Sequence, residues 1–205
     1  MKHKSLGRVD WTSFQPAPVI GVDEVGRGCL AGPVVAAAVI LSYPQKKVFY
    51  DSKVLSGIRR EELFKHVQSD HRYALGFASV EEIDELNILH ASLLAMRRAV
   101  EGLGVTEGGH LLVDGKFKVP GVRYEQTTLI QGDSRAECIS AASIVAKVTR
   151  DCMMGELAEQ FPEYGFEIHK GYATLHHRDM LAALGPTDLH RRKFRGVVVE
   201  EFLEA

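Results

Sequence analysis

A chain of 205 residues, 45% of them hydrophobic and 25% charged, can bury a full core and has the proportions of one globular α/β domain rather than of a disordered segment. A formal net charge of -2 excludes a nucleic-acid binder that works by bulk basicity, so any such contact must rest on a local patch. Cys29, Cys138 and Cys152 are odd in number and lack CxxC or zinc-ligand spacing, and the apolar run Val34 to Leu41 is too short for a bilayer, so a cytoplasmic protein with free thiols and no membrane span is expected, with a monomer as the default.

Residues 1–18 are polar, with Pro16 and Pro18 before the first apolar run, and are expected to form a loosely attached arm. Val19 to Val22 reads as a buried strand running into Asp23-Glu24 and then the turn Gly26-Arg27-Gly28. The glycines allow close approach to the backbone, and Arg27 offers a positive fork for an anion; a plain strand-and-turn reading, with Asp23 and Glu24 merely solvated, stands beside this one. Val34 to Leu41 suits a second, antiparallel strand. Lys53 lies in a loop, where it could meet a phosphate or only water. Ser56 is the expected N-cap of a helix to about Ser69, with Leu63 and Val67 facing inward.

Tyr73 to Val80 predicts a third strand, and Ser79 with Glu82 has the pattern of a capping box. Leu89, Leu93, Met96 and Val100 form the apolar stripe of the helical region that follows. Leu111 to Val113 delivers Asp114-Gly115 as Val22 delivers Asp23, and Val122 to Ile130 predicts a fifth strand, so the sheet must be mixed. Asp133 or Ser134 is the expected cap of a long helix to about Gln160, on which Ile144, Val148 and Asp151 share one face. A carboxylate buried on that face would need a partner or a cation.

From Phe161 the chain becomes aromatic and basic: residues 169–195 carry six Lys or Arg against two Asp, with Tyr172 and Phe194 interleaved. That composition fits contacts to phosphates and sugars, or a solvated helix end. His169, His176, His177 and His190 lack zinc spacing and read as polar surface. Asp23, Glu24, Asp114 and Asp151 form an all-oxygen donor set suited to Mg²⁺ or Mn²⁺, and two such ions are the usual means of hydrolysing phosphate diesters.

The runs GVDEVGRG at 21–28, DSKVLS at 51–56, EIDELNILHA at 82–91, VDG at 113–115, ISAASIVAKVTRD at 139–151, HKGY at 169–172 and HRRKF at 190–194 together resemble the bacterial ribonuclease HII family along nearly the whole chain. The resemblance implies a ribonuclease H-like α/β fold: a mixed five-stranded sheet flanked by helices in a core at 19–160, with a helical, substrate-binding C-terminal extension at 161–205. It implies a two-ion Mg²⁺ or Mn²⁺ site on Asp23, Glu24, Asp114 and Asp151, a 2′-hydroxyl reader in the backbone of Gly26, Arg27 and Gly28, and a sugar contact from Tyr172 at RNA-to-DNA junctions. It also implies cleavage of RNA in RNA/DNA hybrids and 5′ to ribonucleotides embedded in duplex DNA, leaving 3′-hydroxyl and 5′-phosphate ends. The chain departs from the family at Gln131, where lysine is common, and at Cys29, where proline is frequent and whose presence is expected to loosen the turn. Ribonuclease HIII is set apart by an extra N-terminal domain and a glutamate as fourth acid, where Asp151 stands here. A non-catalytic binding module is disfavoured by the acids, which repel a polyanion; another nuclease on the same fold is disfavoured by the Gly-Arg-Gly turn with Tyr172.

Overall fold

A computed structural model describes residues 6–44, 49 and 55–197; Lys53 and the tail at 198–205 lie outside the described residues. Five strands form one sheet in the order β3-β2-β1-β4-β5: β1 (Val19–Val25), β2 (Val34–Ile40), β3 (Arg72–Ala78), β4 (His110–Asp114) and β5 (Glu125–Leu129). The β1–β2 and β2–β3 pairs are antiparallel, whereas β1–β4 and β4–β5 are parallel, so the sheet is mixed as expected. The parallel set matters most for function. The C-terminal ends of β1, β4 and β5 emerge on the same edge, and Asp23, Asp114 and the segment leading to Asp133 emerge with them.

The described residues also contain three short 3₁₀ turns and six α-helices: α1 (Gly57–Asp70), α2 (Val80–Leu86), α3 (Ile88–Gly102), α4 (Glu137–Gln160), α5 (Phe166–His169) and α6 (Leu175–Leu184). The Ser56 cap and the Ser79–Glu82 capping box form as the sequence predicts. One helical region becomes two because Asn87 adopts φ 69 and caps α3 with its side chain. The buried face of α3 centres on Ala91, Ala95 and Ala99, with Leu89 and Leu93 only half buried. The small residues let α3 lie close to β3, where a Cβ on Gly76 would stand 2.0 Å from the Ala95 carbonyl oxygen.

α4 covers the opposite face, and a Cβ on Gly21 of β1 would stand 2.1 Å from the Cys138 carbonyl carbon. Its N-cap is Ala136 rather than Asp133 or Ser134, which lie in a 3₁₀ turn at Gly132–Ser134. That turn brings the Gly132 N–H to the Asp114 Oδ1 at 2.6 Å, a stronger use of the segment than helix capping. β5 is shorter than predicted, running Glu125–Leu129 rather than from Val122 to Ile130.

The described part of the N-terminal arm, residues 6–18, is docked rather than loose. Trp11 is buried in the α4-side core and donates from Nε1 to Glu137, while the Val9 N–H donates to the Arg135 carbonyl. The C-terminal segment builds its own cluster from Tyr164, Phe166, Leu181 and Val197, which packs on Leu30, Ala31 and Met154. The histidines there are corrected by the structure: His169, His177 and His190 are buried, as is Arg191, so this region is less of a solvated basic surface than its composition implies. Ring stacking and hydrogen bonds satisfy them. Among the described residues no helix is long and apolar enough to cross a membrane.

Candidate active site

Alternation along β1 sends Ile20 and Val22 toward α3 and leaves Asp23 facing α4, where the Ser143 hydroxyl bonds its carboxylate. Asp23 is 5% exposed. Burial pushes its carboxyl well above the usual carboxylate range, Glu24 and then Asp114 push it further, Ser143 pulls it back, and Asp133 adds a smaller upward push. Burial raises Glu24 too, against the opposing pull of Arg27, whose Nη1 lies 3.2 Å from Glu24 Oε1. Asp114 accepts from Gly132 N–H. Crowded, buried carboxylates of this kind gain most from a bound cation, and their oxygen-only donor set fits a hard divalent ion. Among the described residues no three acidic, histidine or cysteine side chains stand in a ready ligand array, and each of these acids has a donor within the chain itself.

A cleft of about 470 Å³ is lined by Asp23, Glu24 and Asp114 together with Gly26, Arg27, Gly28, Lys147 and Tyr172. Gly26 has φ 96, a conformation that disfavours any side chain, and a Cβ there would stand 2.4 Å from Arg150 Nε. Gly28 meets nothing within 4 Å, so its backbone faces open space. Cys29 does not unravel the turn: its N–H donates to the Gly26 carbonyl at 3.3 Å, and its backbone bridges to Tyr172. Tyr172 is 38% exposed, and Lys147 Nζ sits 5.6 Å from its ring centroid.

The structure thus unites Asp23, Glu24, Asp114, Gly26, Arg27, Gly28 and Tyr172. Asp151 does not itself line this cleft, although its charge reaches Tyr172. Its Oδ1 accepts from Lys147 Nζ at 2.7 Å, and it borders a neighbouring hollow of about 330 Å³ with Lys170. Arg60 lines both spaces. The carboxylate whose charge reaches Asp23 from beyond the first three is Asp133, 4% exposed, which sequence reasoning assigned to a helix cap. Its signal was the repeated pattern of a strand followed by acid: β5 runs into Asp133 as β1 runs into Asp23 and β4 ends on Asp114. Lys147, Ser143 and Arg60 carried no comparable signal.

Residues 20–197 match the family model for ribonuclease HII. A ribonuclease HII from Desulfotalea psychrophila is 50% identical over 183 residues, covering 87% of this chain and 81% of its own length. Two solved structures share the fold. Ribonuclease HII from Archaeoglobus fulgidus, solved in complex with PCNA, is 27% identical with a TM-score of 0.69, over 86% of this chain and 95% of its own. Ribonuclease H2 from Pyrococcus horikoshii is 26% identical with a TM-score of 0.67, over 87% of this chain and 94% of its own. The chain belongs to the ribonuclease HII family and is a hydrolytic nuclease.

Proposed function

We propose that the chain is a metal-dependent endoribonuclease that cleaves the RNA strand of RNA/DNA hybrids and cuts 5′ to ribonucleotides embedded in duplex DNA, leaving 3′-hydroxyl and 5′-phosphate ends. The observation that carries this reading is the crowding of Asp23, Glu24 and Asp114 in one cleft with the Gly26–Gly28 turn and Tyr172. Mg²⁺ or Mn²⁺ ions held by these acids would supply Lewis-acid activation of water and of the leaving oxygen. Asp23, Glu24 and Asp114 hold the ions, and Asp133, whose charge also reaches Asp23, completes the acid set. Asp151, the fourth acid of the family resemblance, acts differently by fixing Lys147 against the cleft.

Backbone groups of Gly26, Arg27 and Gly28 read the ribose 2′-hydroxyl, the group that separates RNA from DNA. Tyr172 packs on the neighbouring sugar. Lys147 and Arg60 meet phosphates from the cleft wall, and Lys53, outside the described residues, is proposed as a further phosphate contact. Residues 19–160 act as the catalytic core, 161–205 as the extension that holds the duplex, and 1–18 as the arm. Three unpaired cysteines favour a reducing, cytoplasmic setting.

The test is incubation with Mg²⁺ or Mn²⁺ and two otherwise identical DNA duplexes, one bearing a single ribonucleotide. Cutting of that duplex alone, 5′ to the ribonucleotide, is expected. Equal cutting of both, or of neither, overturns the assignment.

A further inference from the structure

Two loops built for close backbone approach meet at the cleft. One is the turn from Gly26 to Pro33; the other is the loop from His169 to Tyr172. They touch without side chains between them: the Leu30 N–H donates to the Gly171 carbonyl at 2.8 Å, and a Cβ on Gly171 would stand 2.6 Å from the Ala31 carbonyl oxygen. A shift of either loop therefore moves the ribose-reading backbone relative to the Tyr172 ring.

Arg150, on α4, lies beneath both loops and is fully buried. Its Nε donates to the Pro33 carbonyl at 3.0 Å and its Nη2 to the Ala31 carbonyl at 2.9 Å, both in the turn. Its Nη1 donates to the Lys170 carbonyl at 2.8 Å, in the other loop. The hydrogen bonds go to backbone carbonyls and not to a carboxylate, so a charged group is kept out of water to hold main-chain atoms. Such burial is costly, and a rigid fork of donors is the chemical feature that offsets it. Arg191, also buried, braces only the turn in its hydrogen bonds, through the carbonyls of Arg27 and Gly32.

We infer that Arg150 is a positioning residue that fixes the register between the Gly26–Pro33 turn and the Tyr172 loop, and thereby sets the preference for isolated ribonucleotides. The inference rests on the roles proposed above for Gly26–Gly28 and Tyr172. A hybrid offers a ribose at every step and no deoxyribose junction, so its cleavage depends less on that register. Lysine cannot reproduce the fork, because its ammonium is a point donor that cannot reach three carbonyls in two loops.

The experiment compares kcat/KM on a single-ribonucleotide duplex and on an RNA/DNA hybrid, for wild type, Arg150→Lys, Tyr172→Ala and the double variant, with folding checked by circular dichroism and thermal melting. Arg150→Lys is expected to lower the ratio of the two activities by about tenfold or more, since a displacement of about 1 Å can cost about 100-fold. The double variant is expected to have a ratio no lower than that of Tyr172→Ala, because both changes act through one element. Equal loss on both substrates in Arg150→Lys overturns the inference by showing a structural role only. If Tyr172→Ala lowers the ratio and Arg150→Lys does not, the inference alone fails; if Tyr172→Ala leaves it unchanged, the reading of the tyrosine fails and takes the inference with it. Should Arg150→Lys not fold, Arg150→Met, which removes the buried charge, carries the same comparison. Failure of both to fold also overturns the inference.

Discussion

Acidification should destabilise this protein through its buried histidines before it protonates most carboxylates. The hydrogen bonds fix the neutral form. The Thr187 N–H donates to His190 Nδ1 at 2.9 Å, so the His190 proton sits on Nε2 and is donated to His177 Nε2 at 3.0 Å. His177 then carries its proton on Nδ1 and donates it to the Tyr172 carbonyl at 2.9 Å. A second proton on His190 would set N–H against N–H at Thr187. His190 is 1% exposed, and burial first, then His177, lowers its pKa to about 4 from 6.5. Burial lowers His177 and His169 as well, and their rings stack at 4.3 Å.

The sign follows from which state binds the proton. Above pH 6.5 both folded and unfolded His190 are neutral and contribute no slope. Between 6.5 and about 4 the unfolded chain takes up a proton that the folded chain refuses, so stability falls as pH falls. For His190 alone the loss is about 2 kcal/mol at pH 5 and roughly 3 kcal/mol once pH falls below the folded value. Against a typical total of about 5–15 kcal/mol this is a large share. Urea titrations at pH 7.5 and pH 5, on wild type and His190→Gln, isolate the contribution because the carboxylates are common to both. The stability difference between the two pH values should shrink by about 2 kcal/mol in the variant. An identical pH dependence in the two proteins would refute the reasoning.

Gly171→Ala must hold a side chain at φ 82 with its Cβ 2.6 Å from the Ala31 carbonyl oxygen, so it should cost about 1–3 kcal/mol in urea unfolding and slow cleavage at a single ribonucleotide. The two candidates for the fourth acid separate by substitution. Asp133→Asn should lower kcat by about 100-fold or more, whereas Asp151→Asn, which releases only Lys147, should cost about tenfold or less; the reverse order would return Asp151 to the metal site.

Much of the architecture was legible because local and global preferences agree. The run from Val34 is apolar throughout, as a strand covered on both faces must be, and the caps at Ser56 and Ser79 form where their hydroxyls predict. Asp23 and Asp114 were legible as acids issuing from buried strands. Asp151 falls outside the lining of the cleft for a geometric reason. Helical spacing puts it in line with Ile144 and Val148, which join the sheet-side core, but one turn on Met154 belongs to the cluster with Phe166, so Asp151 lies where the helix passes from one cluster to the other. Asp133 was hidden by its resemblance to a cap. The histidines and the two buried arginines were opaque because their partners are backbone groups that no periodic pattern ties to them, such as Ala31 for Arg150 and Tyr172 for His177.

The central claim is that Asp23, Glu24 and Asp114 form a metal-holding acid cluster at the cleft. Its most direct test is Asp23→Asn, with the fold verified by circular dichroism, assayed with Mg²⁺ on a duplex bearing one ribonucleotide. The amide keeps the shape and removes the charge, so cleavage should fall by about 100-fold or more while the melting temperature stays at or above that of wild type, since a crowded buried carboxylate has been neutralised. Wild-type cleavage rates in that variant would contradict the account.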